Sequence, residues 1–115
     1  MVRKVSQGDI FYVNFNPSQG HEQRNLRPAI AISHDTIRDK SGMTIVAPIS
    51  STERDFPTYH SLNSTTTING KVLLDQTKAL DLYARNITKE EVIETISKKE
   101  LQDIIDLYKL LFTVD

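Results

Sequence analysis

Three short stretches gather side chains able to handle a charged substrate. The first is Gly20-His21-Glu22-Gln23-Arg24-Asn25-Leu26-Arg27-Pro28. It places a histidine, a carboxylate, two amides and two arginines just ahead of an apolar run. Arginine offers a planar fork of donors that matches phosphate oxygens, and Arg27, immediately before that run, would have its direction fixed. The same residue would equally serve as a structural arginine, bonded to loop carbonyls or paired with Glu22. The second stretch is Pro48-Ile49-Ser50-Ser51-Thr52. Hydroxyls and backbone amides at a strand end can hold a phosphate or an oxyanion; they also make ordinary turns and caps. The third is Asp75-Gln76-Thr77-Lys78, readable as an acid/base or substrate-contact pair or as a solvated strand end.

Other chemistries find no footing. His21, His34 and His60 are the only histidines, and none lies four residues from another, so the H-E-x-x-H zinc pattern is absent. There is no Walker A or G-x-G-x-x-G cradle and no G-x-S-x-G elbow. The chain has no cysteine, which removes disulfides and thiolate metal sites. No metal and no cofactor is expected.

The elements that must position these residues are short. Residues 9–15 (DIFYVNF) read as a strand from their aromatic and β-branched content. Residues 18–26 form a polar loop longer than the usual connection. Pro28 then opens a buried strand over 28–33, proline being tolerated at a strand's first residue. A polar stretch at 34–42 has room for one helical turn. A strand at 43–49 leads into a polar loop at 50–58, followed by short strands at 59–62 and 71–75. In the tail the period changes. Ser97 and Glu100 are spaced as a capping box, and Leu101, Ile104, Ile105, Tyr108, Leu111 and Phe112 recur as one stripe of an amphipathic helix. Residues 87–96 read as a strand, although Thr88 and Glu91 have capping-box spacing too. Short strands with Gly and Pro punctuation argue a small barrel or sandwich.

The chain of 115 residues is 38% hydrophobic and 25% charged, the profile of an ordinary soluble globular protein. It has no run long enough to span a membrane and no signal-peptide core, and a cytoplasmic location is expected. The net charge of −1 excludes a protein that grips nucleic acid by being basic everywhere. The charge is unevenly spread: residues 1–87 carry ten basic against eight acidic side chains, residues 88–115 four against seven. An anionic ligand is therefore expected on the first three-quarters.

Taken in order, the motifs resemble the MazF/PemK family of toxin endoribonucleases. The matching pieces are Gly8-Asp9-Ile10-Phe11-Tyr12-Val13 with Asn16-Pro17, then Gly20-His21-Glu22-Gln23, then Arg27-Pro28 leading into Ala29-Ile30-Ala31-Ile32-Ser33. Val46-Ala47-Pro48-Ile49-Ser50, Val72-Leu73-Leu74-Asp75-Gln76 and Lys78 complete the set. The resemblance covers residues 8–85, and GHEQ followed by RP is its most specific part.

The resemblance implies an all-β-dominated α+β fold, a small SH3-like barrel over about residues 5–96 with a C-terminal helix at about 97–112, in one domain. It implies a homodimer, silenced by a cognate antitoxin, that cleaves single-stranded mRNA at short motifs without a metal. The 2′-hydroxyl attacks the adjacent phosphate, leaving a 2′,3′-cyclic phosphate and a 5′-hydroxyl. The family's catalytic Arg falls on Arg27 and its Thr or Ser on Ser50. Serine keeps the hydroxyl but loses the methyl that stiffens χ1. His21 and Asp75 match positions used by some relatives for RNA binding or proton transfer, whereas Leu73 stands where some carry Arg. Glu22, Gln23, Ser51, Phe56, Gln76 and Lys78 are further candidates for acid–base work or RNA contact. Tyr12, Phe56 and Tyr59 are candidates for base stacking. Two other readings stay open, a non-catalytic SH3-like binding module and a gyrase-directed toxin on a similar barrel.

Overall fold

The computed structural model describes residues 2–15 and 26–114. Strands β1 (Asp9–Asn14), β2 (Leu26–Ala31), β3 (Thr44–Ser50), β4 (Tyr59–Ser61), β5 (Lys71–Leu73), β6 (Lys78–Leu80) and β7 (Glu94–Thr95) form one antiparallel sheet in the order β4-β5-β3-β2-β1-β7, with β6 also on β3. Period-2 alternation sends successive side chains to opposite faces, and both faces are covered. Ile10, Ile30, Ile32, Ala47, Ile49, Val72 and Leu74 face helix α2 (Lys98–Lys109) through Ile104. Phe11, Val13, Ala29, Ala31 and Val46 face Val5, Leu80, Leu82 and Ile87. The result is a strand-dominated curled half-barrel with a C-terminal helix, as expected.

The two strand prolines lie where ladders break. Pro28 does not open its strand: β2 begins two residues earlier and Pro28 faces Tyr12 within it. The β2–β3 ladder starts only at Ala29, so the missing N–H falls where β2 has already parted from β3. Pro48 sits between Val46, where β3 leaves β6, and Ile49, where it meets β5. That switch also corrects the expected strand over 71–75. Pairing stops at Leu73, a 3-10 turn (Leu74–Gln76) carries the chain past Ala47-Pro48, and β6 follows, unforeseen in the sequence.

The polar stretch 34–42 makes two turns rather than one. Helix α1 (Asp35–Ser41) starts on His34, whose Nδ1 accepts from Thr36 N at 3.1 Å, and ends on Gly42 at φ 78°. Over 87–96 the strand expectation holds only for β7. Thr88 and Glu91 do form a capping box, around the 3-10 turn Lys89–Glu91. In the tail, Leu101, Ile105 and Tyr108 pack on the first core. Leu111 and Phe112 do not, because α2 gives way to a 3-10 turn (Leu110–Phe112) that leaves both exposed.

The expected capping box at Ser97 is half made. Ser97 Oγ accepts from Glu100 N at 3.1 Å, but the Glu100 carboxylate turns inward. It takes hydrogen bonds from Asn63 N (2.7 Å), Ser64 N (2.9 Å), Ser64 Oγ and His60 Nε2 (2.7 Å). Glu94 likewise accepts from Thr66, Thr67 and Ile68 N at 2.9, 3.0 and 2.6 Å. Two acidic side chains of the tail thus tie down the loop that delivers β5.

Candidate active site at the open end of strands β2 and β3

The β2–β3 ladder ends with Ala29 opposite Pro48, and two residues further in the same register stand Arg27 and Ser50. Arg27 is also opposite Val13 of β1, and Ser50 is opposite Lys71 of β5, which in turn faces Ser61 of β4. Directly opposed residues share a face, so Val13 and Arg27 form one short row and Ser50, Lys71 and Ser61 another, and the even spacing from the Ala29–Pro48 pair puts Arg27 and Ser50 on the same face of the sheet.

Arg27 is exposed. Among the described residues its guanidinium makes no hydrogen bond or ion pair. The alternative pairing with Glu22 falls on a residue outside the described ones, as do His21 and Gln23. Ser50 is half-buried at the end of β3. Its Oγ accepts from Thr52 N at 3.1 Å, and Thr52 Oγ1 accepts from Arg54 N at 3.2 Å. Two successive hydroxyl-capped turns therefore start the loop after β3. With a lone pair committed, the Ser50 hydroxyl keeps its own proton to donate. Ser51, next in line, is exposed.

Gly70, just ahead of β5, fixes the Ser50 backbone. At φ 135° a β-carbon on Gly70 would lie 2.5 Å from Ser50 O, so the approach requires glycine.

Phe56 is 46% exposed. Its ring lies 5.4 Å from that of Tyr59, and the Arg54 guanidinium stands 4.9 Å from its centroid. A cation and an aromatic of the loop that leaves Ser50 thus sit together with Tyr59, the first residue of β4. Tyr12 is exposed too, but it faces Pro28, one residue from Arg27, and so leaves the sheet on the opposite face.

The third sequence stretch does not join these rows. Asp75 and Gln76 are exposed on the 3-10 turn beside Ala47-Pro48 rather than at a strand end. Lys78 is opposite Val46, four residues from Ser50, or about 13 Å along β3. Conversely, Lys71 went unnoticed in the sequence. Its Nζ contacts Arg54 O (2.7 Å), Asp55 Oδ1 (2.6 Å) and, more weakly, Glu53 O (3.4 Å). A lone lysine after a glycine gives no signal of such a role; only the Ser50 register reveals it.

The neighbouring loop is held electrostatically. Burial pushes the Glu100 carboxyl up, but hydrogen bonds from Ser64, His60 and Asn63 outweigh it and leave its pKa below the ordinary value. Glu94 is lowered in the same way, burial being outweighed by Thr66, Ile68 and Thr67. Both side chains are charged anchors for backbone N–H groups. Among the described residues no three His, Asp or Glu side chains are grouped to hold a metal ion, and no helix is long and apolar enough to cross a membrane.

Residues 6–112 match the family model described as PemK-like, MazF-like toxin of type II toxin-antitoxin system. The endoribonuclease toxin MazF of Escherichia coli (strain K12) is 33% identical over 95 residues, covering 83% of this chain and 82% of that protein. The endoribonuclease toxin ChpB of the same strain is 35% identical over 107 residues, covering 82% and 90%. Among solved structures, the MazE–MazF crystal structure (Form-II) from Deinococcus radiodurans superposes with a TM-score of 0.75 at 20% identity, over 100% of this chain and 99% of that one. That likeness shows the same fold.

Proposed function

This chain belongs to the PemK-like, MazF-like family of toxins of type II toxin–antitoxin systems, and from that premise we propose that it is an endoribonuclease whose reacting phosphate sits between Arg27 and Ser50. The substrate is single-stranded mRNA, cut at a short motif. The observation that carries the assignment is the place of Arg27 and Ser50, each two residues beyond the last β2–β3 pair, Ala29–Pro48, where the two strands part, with the guanidinium free of partners among the described residues.

The reaction is a transesterification. The ribose 2′-hydroxyl gives up its proton, O2′ attacks phosphorus, and the P–O5′ bond breaks while O5′ takes a proton. The products are a 2′,3′-cyclic phosphate and a 5′-hydroxyl. Charge developing on the two non-bridging oxygens is met by fixed donors: the Arg27 fork and the Ser50 hydroxyl or adjacent amides. Arginine is a poor base, so a carboxylate or His21 moves the protons. Glu22, Gln23, Ser51, Phe56, Asp75, Gln76 and Lys78 are RNA contacts or proton carriers in this reading. The protein works as a cytoplasmic homodimer and is silenced by a cognate antitoxin. The partnership is supported by the family description and by the solved MazE–MazF complex.

The test is incubation of a long RNA with purified protein in EDTA. Discrete fragments ending in cyclic phosphate, lost in Arg27→Ala, are expected. RNA left intact would return the protein to the binding-module reading, and inhibited supercoiling with intact RNA to the gyrase-directed one.

A further inference from the structure

Lys71 stands directly opposite Ser50, yet its charge is spent inside the protein. The ammonium has three donors, and all three positions are filled by Glu53 O, Arg54 O and Asp55 Oδ1. Its side chain is only 15% exposed, whereas Asp55 is 92% exposed. An ion pair with so exposed a partner contributes little by itself. The two carbonyls make the contact a strap: they draw residues 53–55 back over the strand that faces Ser50. The other ties on residues 51–57 are local, from Thr52 N to Ser50 Oγ, from Arg54 N to Thr52 Oγ1 and from Tyr59 N to Phe56 O, and at the far end of the loop Leu74 N donates to Thr58 O at 3.1 Å. Among the described residues, Lys71 supplies the side-chain contacts that bind the middle of the loop to a distant strand. The segment held in place carries Arg54 and leads into Phe56, which lies between Arg54 and Tyr59 of β4.

We propose that Lys71 is a positioning residue that sets base selectivity, holding residues 51–57 so that Arg54 and Phe56 present a preformed stacking face to the RNA base beside the phosphate at Ser50. This rests on the endoribonuclease reading above. A loop already in its bound conformation avoids the entropic cost of ordering on binding, and a stacked base gains through its π-face and the guanidinium. Because the ammonium is internally neutralised, Lys71 itself is not a phosphate contact.

The experiment compares the full-length protein with Lys71→Met and Lys71→Arg, the latter keeping donors for the carbonyls. Cleavage is measured on an RNA library and on one short substrate at several salt concentrations. Binding is followed with an oligonucleotide carrying 2′-deoxyribose at the cut nucleotide and fluorescent 2-aminopurine next to it. In Lys71→Met, KM should rise about tenfold with kcat nearly unchanged, as expected when a stacking interaction is weakened. The cleavage motif should relax at one position, and 2-aminopurine quenching should fall. Lys71→Arg should restore all three. The dependence of KM on salt should not change. A slope shallower by about 0.7 in Lys71→Met would instead make Lys71 a phosphate contact and overturn the proposal, as would an unaltered motif and KM. If the unmodified protein cuts no RNA, the endoribonuclease reading fails. The quenching comparison still decides whether Lys71 presents a stacking face.

Discussion

Gly70 packs its α-carbon against the carbonyl of Ser50 so closely that a β-carbon would lie 2.5 Å from the oxygen. The position also has φ 135°, which side-chain-bearing residues avoid. Gly70→Ala therefore has to push the end of β3 away from β5. Because Ser50 and Lys71 form the adjoining pair, the shift falls on the site. The expected outcome is a loss of about 1–3 kcal/mol in stability and a drop in cleavage well beyond what the lost stability explains. Thermal melts alongside rates on one RNA decide it; wild-type rates at an unchanged melting temperature would mean the contact does not constrain Ser50.

Arg27→Lys keeps the positive charge and loses the fork. The residue is exposed and lacks partners among the described residues, so folding should be indifferent to the change. If the guanidinium clamps the phosphate through two parallel bonds, cleavage should fall by about 10²-fold or more, the usual effect of removing a donor aimed at transition-state charge. Single-turnover rates at saturating RNA give the number, and near-full activity would show that charge alone suffices.

How much of this could be read from the sequence depends on the kind of interaction. The strands were legible because burial on two faces leaves apolar runs, as in Ile10 to Val13 and Ala29 to Ile32. Arg27 and Ser50 were legible as candidates because their motifs lie at strand ends. β6 was invisible: Lys78-Ala79-Leu80 has one buried residue, and its pairing depends on Pro48 breaking the ladder next door. Lys71 was invisible for a similar reason, since its partners are two backbone carbonyls and one carboxylate 16–18 residues away. The acidic tail was visible as composition but misleading as a surface, because Glu94 and Glu100 turn inward to backbone N–H groups.

That inward turn makes Glu100 a stability determinant. Replacing it with Ala would strand Asn63 N, Ser64 N and His60 and leave a hole, at a cost of about 3 kcal/mol. The pH dependence has a definite sign. The carboxyl's pKa is lower in the folded chain than its ordinary value of 4.5. The unfolded chain therefore binds the proton first as pH falls. The stability that Glu100 contributes is complete above pH 4.5 and is lost as the pH drops through the lowered native value. Urea midpoints measured from pH 7 to pH 3 should fall less steeply in Glu100→Gln than in the wild type. Part of the slope should remain, because Glu94 is shifted in the same direction. Parallel curves for the two proteins would show that Glu100 does not carry the effect.

Salt dependence tests the electrostatic footprint of RNA. Five of the thirteen lysines and arginines among the described residues are already engaged by hydrogen bonds or ion pairs: Lys71 on its loop, Lys89 on Asp9 at 2.5 Å, Arg38 on Val5 O at 2.6 Å, Arg85 on Asn14 O at 2.7 Å and Lys99 on Asp103 at 2.8 Å. Around Ser50 that leaves Arg27 and Arg54, with Lys78 further along β3. Each phosphate neutralised on a single strand contributes about 0.7 to the slope of log affinity against log salt. Three contacts predict a slope of about −2. The measurement is binding of an uncleavable RNA, with 2′-deoxyribose at the cut nucleotide, between 50 and 300 mM salt. A slope steeper than about −5 would require seven or more phosphate contacts, more than this end of the sheet can offer from Arg27, Arg54 and Lys78, and would place the RNA on a different and more basic surface.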